Sequence, residues 1–135
     1  MIGIDTNILL RLWLNDEPAQ NKRIDALLSE HGGTPGSLLV TDVALAEAVW
    51  TLRSAFDQNK AGQLLAIRSL LNEAAFAFED RDAVTQAADM FEHGNGGFSD
   101  CLVVAKHARH GCAFTATFDR GMRKLPGATP DLPPA

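Results

Sequence analysis

Apolar positions along this chain follow two alternating rhythms, short continuous runs and longer stretches with helical spacing. The run Met-Ile-Gly-Ile before Asp5 predicts a buried strand over 1–5. Thr6 or Asn7 offers a cap for a following helix with Ile8, Leu9, Leu12 and Trp13 as its apolar positions. Pro18 suits a first helical turn and opens a second helix carrying Ile24, Leu27 and Leu28, which stops before His31-Gly32-Gly33. A second strand is predicted over 37–40. Thr41 then caps a helix to about 56, with Leu45, Val49, Leu52 and Phe56 on one stripe. A helix over 60–72 turns Leu64, Ile67, Leu70 and Leu71 inward, and 75–78 is a third strand. Residues 81–92 are helical and end in a flexible loop, His93-Gly94-Asn95-Gly96-Gly97. Ser99 caps a helix over 100–110 closed by Gly111, 113–115 is a fourth strand, and Asp119 begins a last short helix. The proline-rich tail, 126–135, is irregular with at most an edge strand.

Strands alternating with helices predict one α/β domain over 1–135, a three-layer α/β/α sandwich around a mostly parallel sheet of four or five strands. Composition agrees with a globular chain, 46% hydrophobic over 135 residues. No apolar run reaches the ~20 residues of a membrane span, and the N-terminus lacks the basic region of a signal peptide. Cys101 and Cys112 form no CxxC pair and read as reduced, buried thiols, so a cytoplasmic protein is expected. The net charge of −5 looks wrong for a nucleic-acid partner. It is unevenly distributed, however. Setting aside Asp5, Glu47, Asp100 and Asp119 leaves 13 acidic residues against 12 basic ones. The segment 101–130 carries Lys106, Arg109, Arg120, Arg123 and Lys124 against the single acid Asp119.

In an open parallel sheet, ligands bind where strand ends turn into helices. Asp5 ends the first strand and Asp119 follows the fourth, while Glu47 lies about five residues into the helix after the second. Asp100 opens a helix with no strand just before it, and can reach that rim only if its helix starts there. Taken singly, Asp5, Asp100 and Asp119 are ordinary helix-start acids. Glu47 differs, because its neighbours in Val43-Ala44-Leu45-Ala46-Glu47-Ala48-Val49-Trp50 are all apolar. A carboxylate buried there calls for a partner, and a cation shared with other carboxylates is the economical one. Oxygen-only ligands select Mg²⁺ or Mn²⁺ over zinc, and such sites serve phosphoryl chemistry. The four histidines show no ligand spacing, and His107 and His110 read as helix-surface residues. Trp13, Trp50 and Phe98 read as core residues rather than base-stacking platforms.

Four motifs carry a resemblance: Ile4-Asp5-Thr6-Asn7-Ile8-Leu9, Leu45-Ala46-Glu47-Ala48-Val49-Trp50-Thr51-Leu52, Phe98-Ser99-Asp100-Cys101-Leu102-Val103 and Thr117-Phe118-Asp119-Arg120. In order and spacing, over nearly the whole chain, they resemble PIN-domain nucleases, above all the VapC-type ribonuclease toxins of bacterial toxin–antitoxin pairs. The set is specific; a single piece such as Asp-Thr-Asn is weak. The resemblance implies an α/β sandwich and Mg²⁺- or Mn²⁺-dependent cleavage of single-stranded RNA. It makes Asp5, Glu47, Asp100 and Asp119 the metal-site acids, with Thr6, Asn7 and Thr117 as supporting hydroxyl and amide positions. It also implies a homodimer inhibited by a cognate antitoxin. Cys101 follows the third acid where a small residue such as alanine is common, a change with no expected functional loss. On this reading Asp5, Asp100 and Glu47 hold a first ion that activates the attacking water, and Asp119 helps hold a second. Arg120, Arg123 and Lys124 grip the RNA backbone or form a solvated helix face. The target, whether transfer, ribosomal or messenger RNA, is not legible.

Three other readings compete. A receiver-like module with an acidic Mg²⁺ site needs a phospho-accepting Asp after the third strand and a Lys after the last. Glu79, Asp80 and Asp82 are available for the first, but after the last strand no lysine comes until Lys124. A haloacid-dehalogenase-type phosphatase needs Asp-x-Asp, and Asp5-Thr6-Asn7 lacks the second acid. A nucleic-acid-binding module without catalysis gains nothing from four crowded acids.

Overall fold

The computed structural model describes residues 1–128 and 132–135; Thr129, Pro130 and Asp131, part of the tail expected to be irregular, lie outside the described residues. The chain divides into two compact units, Met1–Glu79 and Asp80–Ala135.

The first unit is built on a parallel sheet of order β1-β2-β3, with β1 Ile2–Gly3, β2 Leu38–Val40 and β3 Phe76–Phe78. Ile2 pairs with Leu38, and Leu38 with Phe76, so the three strands run in one direction in close register. Each crossover is a pair of helices: α1 Thr6–Leu14 and α2 Pro18–His31, then α3 Asp42–Ser54 and α4 Lys60–Leu71. The 3.6-residue period sets what is buried. Leu45, Val49 and Leu52 of α3 and Ile67, Leu70 and Leu71 of α4 are all inside, joined by Leu9 of α1 and Leu38 of β2. α1 packs on α3, and α3 on α4.

Helix starts follow side-chain chemistry where an oxygen is available. Thr41 Oγ1 accepts from Ala44 N–H at 3.3 Å and Asn59 Oδ1 from Gly62 N–H at 2.9 Å. Pro18 stands at the first turn of α2, where a missing N–H costs nothing. Asn59→Ala leaves a helix-start N–H of α4 to water and should cost about 1 kcal/mol. Urea unfolding would show this as a lower midpoint at constant slope, and an unchanged midpoint would mean that the cap contributes nothing.

The second unit is helical, with α5 Arg81–His93, α6 Phe98–Arg109 and the short α7 Arg120–Arg123. α5 packs on α6, and the Phe91 and Phe98 rings meet edge-on, with centroids 6.1 Å apart. Arg109 near the end of α6 donates from Nε to Asp80 Oδ2 at 2.6 Å, and its other end lies 3.7 Å from Asp82. The guanidinium holds the Asp80 carboxyl below its usual range. Arg109 therefore ties two helices together and leaves the set of cations expected to serve a nucleic acid.

Three sequence expectations change. The fourth strand over 113–115 is replaced by one parallel bridge, Thr115 with Ala128, so the described residues hold three strands rather than four or five. The α/β class with a parallel sheet stands. Within 113–115 Phe114 is exposed and only Thr115 is buried, so the run pairs at that one residue. Ser99 does not cap α6, because the helix starts two residues earlier than expected, at Phe98, with Gly97 as cap and no side-chain bond. Burying the Phe98 ring contributes about 1.5–3 kcal/mol against about 1 kcal/mol for a serine cap. Of the two free cysteines only Cys101 is buried; Cys112 is exposed. No described helix is long and apolar enough to cross a membrane.

Candidate active site

Asp5 and Glu47 belong to the first unit. Asp5 follows β1 at the carboxyl end of the sheet and, in place of Thr6 or Asn7, is itself the cap of α1. Its Oδ1 accepts from Thr6 N–H at 2.7 Å, leaving Oδ2 outside that bond. Thr6 meets the carboxylate through its backbone, while its side chain is buried and Asn7 is exposed.

Glu47 corrects the strongest of the sequence arguments, for it is exposed. Val43, Glu47 and Trp50 are spaced four and three residues apart, so they share the face of α3 opposite Leu45, Val49 and Leu52. Val43 is 74% exposed and Trp50, expected in the core, is 57% exposed. The apolar neighbours of Glu47 in sequence are not its surroundings in space, and no burial forces a cation on it. It is a solvent-facing carboxylate about two turns into α3, beyond the carboxyl end of β2.

Asp100 and Asp119 belong to the second unit, which does bring them together. Asp100 stands in the first turn of α6 and is half-buried; Asp119 is the cap of α7. Burial raises the Asp100 carboxyl above its usual range, and the negative charge of Asp119 raises it further. Two residues missed by the sequence reading hold the pair in place. Leu125, just past α7, is buried, and a β-carbon at Gly96 would come within 3.3 Å of its methyl carbons. The loop before α6 therefore lies directly against the segment after α7, and a side chain at Gly96 would crowd Leu125. Gly127, at φ +94°, turns the chain so that its carbonyl accepts from Thr115 N–H at 2.8 Å. The glycines of 94–97 were legible as a flexible loop; their fit to a leucine some thirty residues away was not.

Asp119 is fixed at both ends. Its N–H donates to Thr117 Oγ1 at 2.9 Å, and its Oδ1 accepts from Met122 N–H at 2.8 Å. Thr117 thus steadies the backbone of Asp119 rather than its carboxylate. Arg120 and Lys124 are exposed and Arg123 half-exposed. His107 is on a helix surface as expected, with Nδ1 2.9 Å from Thr115 Oγ1.

Among the described residues, no group of three or more His, Cys, Asp or Glu gathers tightly enough to form a metal cage. Mg²⁺ does not need one, since it keeps several waters and takes one or two carboxylates plus phosphate oxygens. The Asp100–Asp119 pair, two oxygen donors with one partly desolvated, fits that demand. None of the acids lines the cavity of about 610 Å³ between α1, α2, α4 and β3 of the first unit. Two of the three acids offered to the receiver-like alternative are engaged. Asp80 is occupied in capping α5 and pairing with Arg109, and Glu79 accepts from Asp42 N–H at 3.0 Å.

The family model for the PIN domain matches residues 2–128. A protein of Aquifex aeolicus (strain VF5) named VapC ribonuclease is 24% identical over 122 residues, which cover 90% of this chain and 90% of that one.

Proposed function

The chain belongs to the PIN-domain family, and on that footing we propose that it is a divalent-metal-dependent endoribonuclease that cleaves single-stranded or loop RNA. Asp5, Glu47, Asp100 and Asp119 are its catalytic and metal-holding acids, and the two units work as one domain. The observation that carries this reading is the Asp100–Asp119 pair, in which a half-buried carboxylate is kept beside a second one although both charges would be better apart. The relative named a ribonuclease supports RNA as the substrate class.

A hard divalent ion, Mg²⁺ or Mn²⁺, would supply a water made acidic at neutral pH and positive charge against the phosphodiester. The chain's own residues do the rest. Asp100, whose carboxyl is raised by burial and by the charge of Asp119, would hold the ion together with Asp119. Asp119 is held rigid by the Thr117 and Met122 bonds, so its free oxygen is oriented before any ligand arrives. Asp5 is prepared in the same way by Thr6 N–H. Asn7 and Thr117 support these acids, and Arg120, Arg123 and Lys124 meet the RNA backbone. The same reading makes the protein the toxin of a cytoplasmic toxin–antitoxin pair, a homodimer restrained by a cognate antitoxin.

The decisive experiment incubates the purified chain with end-labelled single-stranded RNA. Cleavage is expected in Mg²⁺ or Mn²⁺, none after EDTA, and recovery on adding Mn²⁺ back. Cleavage that persists in EDTA would refute metal dependence, and folded protein that leaves RNA intact in both ions would refute the nuclease reading. Expression of the chain should arrest growth, and Asp5→Asn should relieve the arrest.

A further inference from the structure

Phe118 is the most exposed large apolar side chain among the described residues, at 87%. Leaving it in water forgoes about 1.5–3 kcal/mol of burial. Its position narrows what can cover it. It stands between Thr117 and Asp119, on a backbone made rigid by the Thr117–Asp119 and Asp119–Met122 bonds, so the ring is carried on a fixed turn and not on a loose loop. Directly after it come Asp119 and the cations Arg120, Arg123 and Lys124. A protein partner prefers a continuous apolar patch, and here the ring is flanked in the chain by a hydroxyl, a carboxylate and cationic residues. One aromatic face with phosphate-seeking cations close by in the chain is the pattern of single-stranded nucleic-acid binding.

We infer that Phe118 is a base-stacking residue: it receives one unpaired nucleobase of the RNA while the cations of α7 meet the adjoining phosphates. It thereby positions the strand beside Asp119 and makes the site select unpaired over duplex RNA, whose bases are already stacked. This inference rests on the ribonuclease reading for its substrate, but not for its test. Phe118 is a positioning residue and takes no part in bond breaking.

The test measures binding of fluorescein-labelled single-stranded RNA by anisotropy with Ca²⁺ in place of Mg²⁺, alongside cleavage kinetics in Mn²⁺. Because the ring packs on so little, Phe118→Ala should fold normally and weaken binding roughly tenfold, with the loss in kcat/KM carried by KM. Phe118→Trp should bind as the parent does, and Phe118→Leu, apolar but without a π face, as poorly as alanine. An abasic substitution at the stacked nucleotide should weaken the parent to the level of Phe118→Ala and leave that variant unaffected. The salt dependence should keep its slope in Phe118→Ala and become shallower in Arg120→Ala/Lys124→Ala, by roughly 0.7 for each phosphate that is no longer neutralised. Parent-like binding by Phe118→Ala, or rescue by leucine, would overturn the inference. So would a parent that dissociates on sedimentation when Phe118 is replaced, since the ring would then serve a second copy of the chain. If the parent binds RNA in this Phe118-dependent way yet never cuts it, the nuclease reading fails and the stacking role stands.

Discussion

Asp100→Asn should reduce RNA cleavage by on the order of a thousandfold and leave the folded protein at least as stable as the parent. Both halves follow from one geometry. The carboxyl is half-buried in the first turn of α6 and stands in the field of Asp119, and each of these disfavours its ionised form in the fold. Below its ordinary value of 3.8 the group is protonated whether the chain is folded or not, and it carries no penalty. As the pH rises past 3.8 the unfolded chain ionises first, so stability falls until the raised folded value is also passed. Once both values are passed the parent carries the full penalty, and asparagine, of similar shape and without charge, does not. A residue retained at a cost to the fold is the mark of a functional site. Thermal unfolding and cleavage measured on one preparation would decide the matter. Parent-like cleavage would remove Asp100 from the site, and a lower melting temperature would make it a structural residue.

The second large effect concerns the scaffold beneath the acids. Leu52 is 2% exposed on the inner stripe of α3, and Leu52→Ala should cost about 2–5 kcal/mol. That is a large share of the roughly 5–15 kcal/mol that holds a domain together. Trp50 is two residues away on the same helix and larger, yet Trp50→Ala should change stability by no more than about 0.5 kcal/mol, because its face of α3 is open. Chemical denaturation of the pair would test the assignment of faces. A large loss at Trp50 would mean that this face is covered in solution, as a homodimer would require.

The contrast between these two residues shows how the sequence could be both informative and misleading. The segment from Val43 to Trp50 is apolar except for Glu47, and composition by itself predicts a buried acid. Three-dimensional position depends on the angle around the helix, and that angle sets Val43, Glu47 and Trp50 on the outer face. The support for Glu47 as a site acid therefore rests on motif and on its place beyond β2, and no longer on burial. Asp100 moved the other way. The sequence could say least for it, and the structure gives it a raised carboxyl and a neighbouring acid.

The sequence by itself determined the order of the helices and the first three strands, the parallel α/β plan, the Thr41 cap, the Pro18 helix start and the four motifs, because each depends on a period or a spacing within a few residues. The tertiary structure decided what depends on residues far apart in the chain. Arg109 became a clasp for Asp80, Thr115 found Ala128 in place of a strand, and Leu125 seated itself on the glycine loop before α6. That last packing lies close in sequence to the candidate site, joining the loop just before Asp100 to the segment just after Asp119. No local pattern encodes it, because burial of Leu125 is worth its free energy only once both segments are folded against each other.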